Sequence, residues 1–282
     1  MIWSGTTLKT CLHILIVSLN PGEKLKKTLD SIFAQTVCDY RIIIKDGGST
    51  DGTLEKLSDE GYFTGHDNVI TVREHDSGIY DGMNRAVEIM LEELGDEDHY
   101  CLFLNCGDTL HDEKVLEKVI PYLNKTYDRE HIFYGDQYNT IQKCKVSSSP
   151  NINEFTLFRN VPCHQVCFYS TKLFRRRAYD IRYTVRADYE HFLYCCYEEN
   201  AECEHIDVII CDYEGGGYSE TPQNRKRSAE QHREITDRYM GYKAKKYRLI
   251  MMLTLAPLRT RLAESPTMSG VYNGIKSLLY RR

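Results

Sequence analysis

The chain has 282 residues, of which 41% are hydrophobic and 11% aromatic, a composition that excludes intrinsic disorder and allows a full-sized buried core. Its formal net charge of −5 is unevenly spread: residues 238–282 carry ten Lys or Arg and one acid, a net of +9, which leaves −14 on residues 1–237. An acidic body argues against nucleic acid as its partner, whereas a basic tail suits an anionic surface.

Short apolar runs alternate with amphipathic patterns through the first part of the chain. Runs rich in β-branched or aromatic residues predict strands at 12–18, 40–45, 69–74 and 100–105. Apolar residues at helical spacing predict helices over 22–35 and 78–94, with Asn20 and Pro21 as the cap and first position of the first helix. This alternation predicts a mostly parallel sheet that is covered by helices.

The pattern loosens after residue 110. The sequence predicts a helix over 112–120 that Pro121 ends, a strand at 131–134, a mobile polar run at 143–153, a strand at 165–169 and a helix that opens at Asp188. The second half is therefore predicted to be a mixed α+β elaboration of the first.

Several classes of protein and site are disfavoured. The eleven cysteines are scattered without a C-x-x-C pair, which indicates free thiols, and the group around Cys163, His164 and Cys167 lacks the second spaced pair of a zinc site. The longest apolar stretch, 249–258, is too short to span a bilayer, and "LHILIV" is typical of a first strand and not of a signal peptide. "SLNPGE" offers neither common nucleotide loop, so a Rossmann-type cofactor is disfavoured.

Seven stretches occur in the order found in a known family: "IVSLNPGEKLKKTLDSIFAQ", "IIIKDGGSTDGT", "HDSGIYDGMNRAV", "LFLNCGD", "PCHQVCFY", "RADYEH" and "GGGYS". Together they resemble the family 2 glycosyltransferases of the GT-A fold, particularly those that build bacterial exopolysaccharide, capsule and O-antigen units. The resemblance covers about residues 12–220. It implies an α/β domain over 1–237, with a nucleotide-sugar-binding half to about 110 and an acceptor and catalytic half beyond, followed by a basic amphipathic helical tail over 238–282.

The donor contacts that the resemblance implies lie mostly in the first half. Asp46 ends the second predicted strand, where an acid of such enzymes accepts a hydrogen bond from the nucleotide base; the alternative is that Asp46 only caps a turn. Asp51 fits an N-cap of the next helix. The stretch "HDSGIYDGMNRA" adds Asp76, Asn84 and Arg85, whose planar guanidinium suits a diphosphate. A solvated helix face is the alternative for Asn84 and Arg85.

"LNCGD" takes the place of the family's metal motif, in which acids hold Mn²⁺ or Mg²⁺ against the donor's diphosphate. Such hard cations take oxygen ligands, and phosphates and water complete the shell. Asn105 and Gly107 stand where carboxylates are more common, which leaves Asp108 as the predicted metal ligand, with a turn-forming role as its alternative. Asn105 is predicted to contact the nucleotide sugar. The resemblance also places His164 and Gln165 near the sugar, although a lone histidine is often structural.

The catalytic residue is predicted from "ADYEH". An acid here is the general base of the resembling enzymes, so Asp188 would take a proton from the acceptor hydroxyl, a role worth roughly 10²–10⁴-fold; the alternative is an N-cap. Glu190 faces elsewhere on that helix and is a weaker candidate. Residues 215–219 are predicted to form a flexible loop, which either closes over the substrate or only turns the chain. The tail is predicted to contact a membrane surface, with packing on the domain or on a partner subunit as the alternative.

The resemblance implies an inverting hexosyl- or N-acetylhexosaminyltransferase. Its donor would be a nucleotide-diphosphate sugar, with a UDP-sugar favoured, and its acceptor a glycan or a polyprenyl-diphosphate-linked sugar. The predicted location is the cytoplasm, with peripheral contact at the inner face of the plasma membrane, and a homo-oligomer is left open. The main alternative is a non-catalytic nucleotide-sugar-binding subunit, because the metal motif is depleted. A methyltransferase-like fold and a nucleotide-sugar pyrophosphorylase are disfavoured, since both need a glycine-rich loop after the first strand.

Overall fold

The computed structural model describes residues 12–125, 128–215 and 221–253, together with residues 270, 271 and 274. The strands are β1 (Leu12–Ser18), β2 (Tyr40–Asp46), β3 (Val69–Arg73), β4 (Tyr100–Phe103), β5 (Thr109–Leu110), β6 (His131–Asn139), β7 (Cys144–Val146), β8 (Cys167–Ser170) and β9 (Glu202–Tyr213). The helices are α1 (Glu23–Phe33), α2 (Thr53–Asp59), α3 (Ile79–Leu94), α4 (Val115–Leu123), α5 (Glu154–Arg159), α6 (Thr171–Arg176), α7 (Ala187–Tyr197), α8 (Pro222–Met240) and α9 (Tyr242–Leu253).

One sheet runs through the described residues in the order β3-β2-β1-β4-β8-β6-β9-β5, with β7 paired to β6. Strands β3, β2, β1 and β4 are parallel. Strand β8 is antiparallel to both β4 and β6, and β6 runs parallel to β9 with a shift of register between Tyr134 and Asp136. The first half is therefore parallel and the second half mixed, as the sequence predicts.

The core lies between this sheet and the helices on it. Strands β1 and β2 are buried along nearly their whole length, which explains why they read as continuous apolar runs. Helix α1 buries Leu25, Leu29 and Ile32, and α3 packs against β1 and β2. The parallel strands β1, β2 and β4 end at the same edge of the sheet, the edge at which open α/β sheets bind their ligands.

Two element boundaries differ from the prediction. Helix α1 has Gly22 as its N-cap residue and no side-chain cap, so the prediction that Asn20 and Pro21 start it is wrong. Helix α4 contains Pro121, which was expected to end it. The helix continues because Leu123, beyond the proline, is buried in the core, and this packing outweighs the hydrogen bond that proline cannot donate.

The end of the described chain packs on the body of the molecule. Helix α8 runs across the predicted boundary between residues 237 and 238. Helix α9 joins α5 through Glu154, which accepts hydrogen bonds from Lys243 at 2.6 Å and from Tyr247 at 2.9 Å. Within the described part of the chain, no helix has the length and apolar content needed to cross a membrane. Residues 254–258 of the predicted apolar stretch lie outside the described residues.

Candidate active site

Two of the predicted motifs meet beyond the carboxyl end of β4. The backbone N–H of Asn105 donates to Gln165 Oε1 at 2.8 Å, and Gln165 Nε2 donates to Asp108 Oδ2, also at 2.8 Å. His164 Nε2 lies 3.3 Å from Asn105 Oδ1. The Gln165 side chain is buried, and both its amide oxygen and its amide nitrogen are hydrogen-bonded. It therefore fixes the "LNCGD" and "PCHQVCFY" segments relative to each other.

Asp188 lies in the first turn of α7 and points to the same cluster. Its Oδ1 accepts a hydrogen bond from the Tyr80 hydroxyl at 2.8 Å, and its Oδ2 lies 3.1 Å from His164 Nδ1. Burial acts to raise the pKa of Asp188, but His164, Tyr80 and the positive charge of Arg186 together bring it below the usual range. A quarter of the side chain stays exposed. The carboxylate is therefore ionised, held by two side chains and open to a substrate.

Asp108 is a buried carboxylate in the loop between β4 and β5. Burial raises its pKa, although hydrogen bonds from the Glu214 N–H and from Gln165 oppose the rise. The Glu214 N–H donates to Asp108 Oδ1 at 2.9 Å. The Glu214 carboxylate lies 3.8 Å from Lys24 Nζ and 3.5 Å from Lys27 Nζ. Sequence reasoning missed Glu214. The one sequence feature that points to it is its position just before the glycine run.

The described residues contain no group of three or more His, Cys, Asp or Glu side chains arranged to hold a metal ion. Asp108 offers one carboxylate, and each of its oxygens already accepts one hydrogen bond. A carboxylate oxygen has a second lone pair, and Mg²⁺ in phosphate sites often takes only one or two protein carboxylates. The donor set at Asp108 therefore fits a cation whose other ligands come from a diphosphate and water.

Asp46 is fully buried at the end of β2. Its Oδ1 accepts hydrogen bonds from the Ser49 N–H at 2.8 Å and from Arg73 Nε at 3.1 Å. The Ser49 hydroxyl donates to its Oδ2, and Ser18 does so at 3.4 Å. The carboxylate thus holds the turn after β2, and its predicted contact with a nucleotide base stays a prediction. Nearby, Asp51 accepts from the Thr53 N–H at 3.1 Å, although Gly52 occupies the N-cap position of α2.

Asp76 lies beside the same turn and is paired with Lys45, a residue that sequence reasoning missed. The Lys45 side chain is fully buried and donates to Asp76 Oδ2. A Cβ atom at Gly47 would lie 2.9 Å from that oxygen, and one at Gly82 would lie 3.0 Å from it. Glycines at both positions therefore let the carboxylate fit between β2 and α3. A lysine directly after a run of three isoleucines was the available signal, because a buried cation needs a partner.

Two other donor candidates make their hydrogen bonds to groups outside this cluster. Both ends of the Asn84 amide bond the backbone of Tyr179, each at 2.9 Å, so this side chain ties α3 to the segment before α7. Arg85 pairs with Glu74 at 2.7 Å and with Glu88 at 2.5 Å on an exposed surface. Their predicted contact with the donor is not tested by these interactions and stays a prediction.

Glu190 faces away from the site, in agreement with its lower rank as a candidate. It is fully buried and accepts hydrogen bonds from Arg177 at 2.7 Å, from Arg238 at 3.3 Å and from the Tyr239 hydroxyl at 2.6 Å. These contacts join α7 to α8. Of the predicted loop at 215–219, only Gly215 belongs to the described residues; it has a φ of 80°, in the left-handed region that favours glycine.

Known proteins share this sequence and architecture. A family model described as Glycosyl transferase family 2 matches residues 13–183, which is more than half of the chain. PGL/p-HBAD biosynthesis glycosyltransferases of Mycobacterium bovis and Mycobacterium tuberculosis are 30% identical to it over 210 residues, covering 74% of this chain and 78% of theirs. The chain belongs to glycosyl transferase family 2.

Solved structures show that this glycosyltransferase also has the expected GT-A fold. Staphylococcus aureus TarS 1-349, in complex with UDP-GlcNAc, matches 91% of this chain and 74% of its own with a TM-score of 0.64 at 12% identity. The mannosyltransferase PcManGT from Pyrobaculum calidifontis, in complex with GDP-Man and Mn²⁺, matches 98% of this chain and 82% of its own with a TM-score of 0.60 at 13% identity. The predicted family, fold and enzyme class are confirmed.

Proposed function

We propose that this glycosyltransferase moves a sugar from a nucleotide-diphosphate sugar to a hydroxyl of a lipid-linked surface glycan, with inversion at the anomeric carbon. The observation that carries the proposal is the position of Asp188. Its ionised carboxylate is partly open to solvent and held by Tyr80 and His164 next to the loop after β4. A fixed carboxylate can take the proton of an attacking hydroxyl, and direct attack by that hydroxyl inverts the configuration.

The donor would lie over the carboxyl edge of the parallel strands. Asp46 shapes the turn that faces the base, and Asp76, Asn105, His164 and Gln165 surround the phosphates and the sugar. A UDP-sugar is the favoured donor, supported at the level of the fold by the TarS complex with UDP-GlcNAc. Asp108 would hold Mn²⁺ or Mg²⁺ against the diphosphate, and the cation would stabilise negative charge on the leaving group. The Mn²⁺ of the PcManGT complex supports this assignment.

The test combines donor binding with transfer in one pair of proteins. The melting temperature is measured with UDP, GDP, dTDP and CMP, each with and without Mn²⁺ or Mg²⁺. One nucleotide, at about 100 times its Kd, should raise it by roughly 5–10 °C in a metal-dependent way. Asp188→Asn should keep that shift, because the substitution leaves the donor side intact. It should lower transfer to a hydroxyl acceptor about 10²–10⁴-fold, since the general base is lost.

Asp207→Asn is the matched control, because the Asp207 carboxylate is 90% exposed and lies outside the site. The thermal shift and the transfer rate of this variant should equal those of the wild type. Full transfer activity in Asp188→Asn would overturn the assigned base. A nucleotide shift without any transfer by the wild type would instead favour the non-catalytic subunit.

The lipid-linked acceptor is proposed from one face of α9. Its exposed residues follow a helical spacing: Tyr242, Lys245, Lys246, Leu249, Met252 and Leu253. The four apolar members are each more than half exposed, while the opposite face packs on α5 through Tyr247. An apolar stripe with lysines beside it suits the boundary between anionic headgroups and acyl chains. We therefore place this enzyme at the cytoplasmic face of a membrane, as a peripheral protein.

Vesicle co-sedimentation of the full chain tests this placement. Binding should be stronger to vesicles that contain phosphatidylglycerol than to pure phosphatidylcholine, and it should weaken with salt. Replacing both Lys245 and Lys246 by Ala should weaken binding to the anionic vesicles by about 30-fold, because each lysine near the surface contributes about 1 kcal/mol to binding. Replacing Lys118 and Lys172 by Ala should change this binding little, because these lysines are exposed on other parts of the surface. Equal loss in both double variants would show only a general charge effect.

A further inference from the structure

Four arginines lie around the segment that leads into α7, the helix that carries Asp188. Arg186 belongs to this segment, Arg225 and Arg227 lie near the start of α8, and Arg159 ends α5. Among the described residues, none of the four has a carboxylate within salt-bridge distance, whereas every other arginine does. We call these four residues the arginine patch.

Neutral groups orient Arg186. Its Nε donates to Ser228 Oγ at 2.7 Å, and its Nη1 donates to Asn160 Oδ1 at 3.1 Å, directly after Arg159 in the chain. Its Cζ lies 5.5 Å from the centre of the Tyr189 ring. These contacts fix the guanidinium without neutralising its charge, and they use only two of its five N–H groups. A planar, fixed donor set of this kind suits a phosphate group, which it can bind through two parallel hydrogen bonds.

The arginines of α8 lie on both sides of this contact. Arg225 precedes Ser228 by three residues, a spacing that puts the two side chains on the same side of the helix. Arg227 Nη1 donates to Thr184 Oγ1 at 3.4 Å, two residues before Arg186 in the chain. Both arginines are exposed. Cations brought together in this way repel one another, and a bound anion relieves that repulsion.

The arginine patch adjoins the proposed base. One residue separates Arg186 from Asp188, so their Cα atoms are at most about 7 Å apart. An anion on Arg186 and a hydroxyl at Asp188 can therefore belong to the same sugar unit. Helix α9 packs on both α8 and α5, so a lipid attached to that anion can reach the exposed apolar stripe of α9.

We propose that the arginine patch binds the phosphate or diphosphate of the acceptor, and that this group is attached to the same sugar that carries the reacting hydroxyl. The inference rests on the proposed function and narrows its substrate class to the first sugar on a lipid phosphate. A reaction that transfers a sugar phosphate to a lipid phosphate, or a sugar to a lipid phosphate, must supply this acceptor. A longer glycan between the two groups would place the phosphate beyond the reach of Arg186.

Calorimetric titration of the full chain with geranyl diphosphate tests the patch, in EDTA so that no cation takes part. The wild type should bind it at least about tenfold more tightly than geraniol. Arg186→Gln should weaken binding about tenfold or more, the loss expected for one charge-assisted hydrogen bond, and Arg186→Lys should recover only part of it. Arg225→Gln should weaken binding too. It leaves the segment before α7 intact, because the Arg225 side chain makes no hydrogen bond within the described residues.

Arg233→Gln is the matched control. Arg233 is an exposed arginine of the same helix, and its charge is already paired with Asp237, so this variant should bind geranyl diphosphate as the wild type does. Equal weakening in Arg225→Gln and Arg233→Gln would show only a general charge effect and would overturn the site. Wild-type affinity in both Arg186→Gln and Arg225→Gln would overturn it as well.

The position of the site is tested at the base. Asp188→Asn removes a negative charge beside the patch and should strengthen binding of geranyl diphosphate severalfold, whereas Asp207→Asn should leave it unchanged. No effect of Asp188→Asn would separate the patch from the reacting hydroxyl and overturn the proposal. The nucleotide that raises the melting temperature should not displace geranyl diphosphate; displacement would assign the patch to the donor instead.

Vesicles distinguish the acceptor's phosphate from phospholipid headgroups. Arg225→Gln should bind vesicles that contain phosphatidylglycerol as the wild type does, and a loss as large as that of the Lys245 and Lys246 double variant would assign the patch to the membrane surface. These results stand apart from the proposed function. If the wild type transfers no sugar, the proposed function fails, while calorimetry still decides whether the patch binds a lipid phosphate. If transfer occurs and the arginine variants bind normally, the phosphate site alone fails.

Discussion

Lys45 is a buried cation that follows three isoleucines near the end of β2. Replacing it with Met would leave Asp76 Oδ2 without its cation, although Oδ1 would keep the hydrogen bond from the Gly78 N–H at 3.2 Å. We expect Lys45→Met to lower the free energy of unfolding by about 2–3 kcal/mol, somewhat less than for a fully buried pair, because 18% of the Asp76 side chain remains exposed. Urea denaturation, with an unchanged m-value, measures the change.

The same substitution at a surface pair provides the control. Lys56 lies 3.2 Å from Glu23, and both side chains are more than half exposed, so Lys56→Met should cost much less than Lys45→Met. The double variant with Asp76→Asn should recover part of the stability that Lys45→Met loses, because the unpaired charge is gone. Equal costs at positions 45 and 56 would mean that the buried pair contributes no more than a surface pair.

Helix α8 supports α7, the helix that carries Asp188, the proposed general base. Gln231 accepts hydrogen bonds from the backbone N–H groups of Val185 and Arg186, at 3.0 and 3.1 Å, just before α7 begins. Glu190 then bonds Arg238 and Tyr239 of α8. The approach to α7 and its first turn are therefore both fixed to one neighbouring helix, and the direction of Asp188 depends on that contact.

Glu190→Gln tests this support at the level of the helix pair. It keeps the shape of the side chain but leaves Arg177, which is 27% exposed, without its anionic partner. We expect a loss of about 3 kcal/mol in urea denaturation, together with a fall in kcat as α7 loosens. Glu88→Gln makes the same change in the exposed pair with Arg85 and should cost much less. A similar cost for both substitutions would contradict a buried link between α7 and α8.

The elements were predictable where local composition decides them, and the site was predictable only in part. Strands β1 and β2 match their predicted ranges within one residue, because burial of both faces leaves a continuous apolar run. The motifs also named Asn105, His164 and Asp188. Their mutual contacts join residues 24 and 59 positions apart in the chain, and no local pattern encodes such pairs. Asn84 shows the limit most clearly, since its partner is the backbone of a distant segment.

The whole molecule buries several histidines in a neutral form. Burial, as the largest cause, lowers the pKa of His191 to about 3 and those of His13 and His232 to about 4, from an ordinary value of 6.5. The unfolded chain therefore binds more protons than the folded one between about pH 4 and 6.5. Because stability rises with pH wherever the unfolded state binds more protons, the contribution of these histidines is complete above pH 6.5 and is lost as the pH falls.

The expected result is acid instability that begins near pH 6.5. Each histidine contributes a slope of about 1.4 kcal/mol per pH unit once its unfolded form is mostly protonated, so the three together approach about 4 kcal/mol per unit near pH 5. Urea denaturation at a series of pH values between 8 and 4.5 measures this slope. His191→Phe should remove about a third of it, because the ring can then no longer take up a proton on unfolding.

His191→Phe should also keep the stability at pH 8 within about 1 kcal/mol of the wild type. The imidazole stacks on Phe174 with ring centroids 4.4 Å apart, a place that suits another aromatic ring. Neither of its ring nitrogens has a hydrogen-bond partner among the described residues, so the substitution removes a buried polar group whose hydrogen bonds are unmade. An unchanged slope in this variant would mean that His191 does not stay neutral in the folded state, and that other groups set the acid limit.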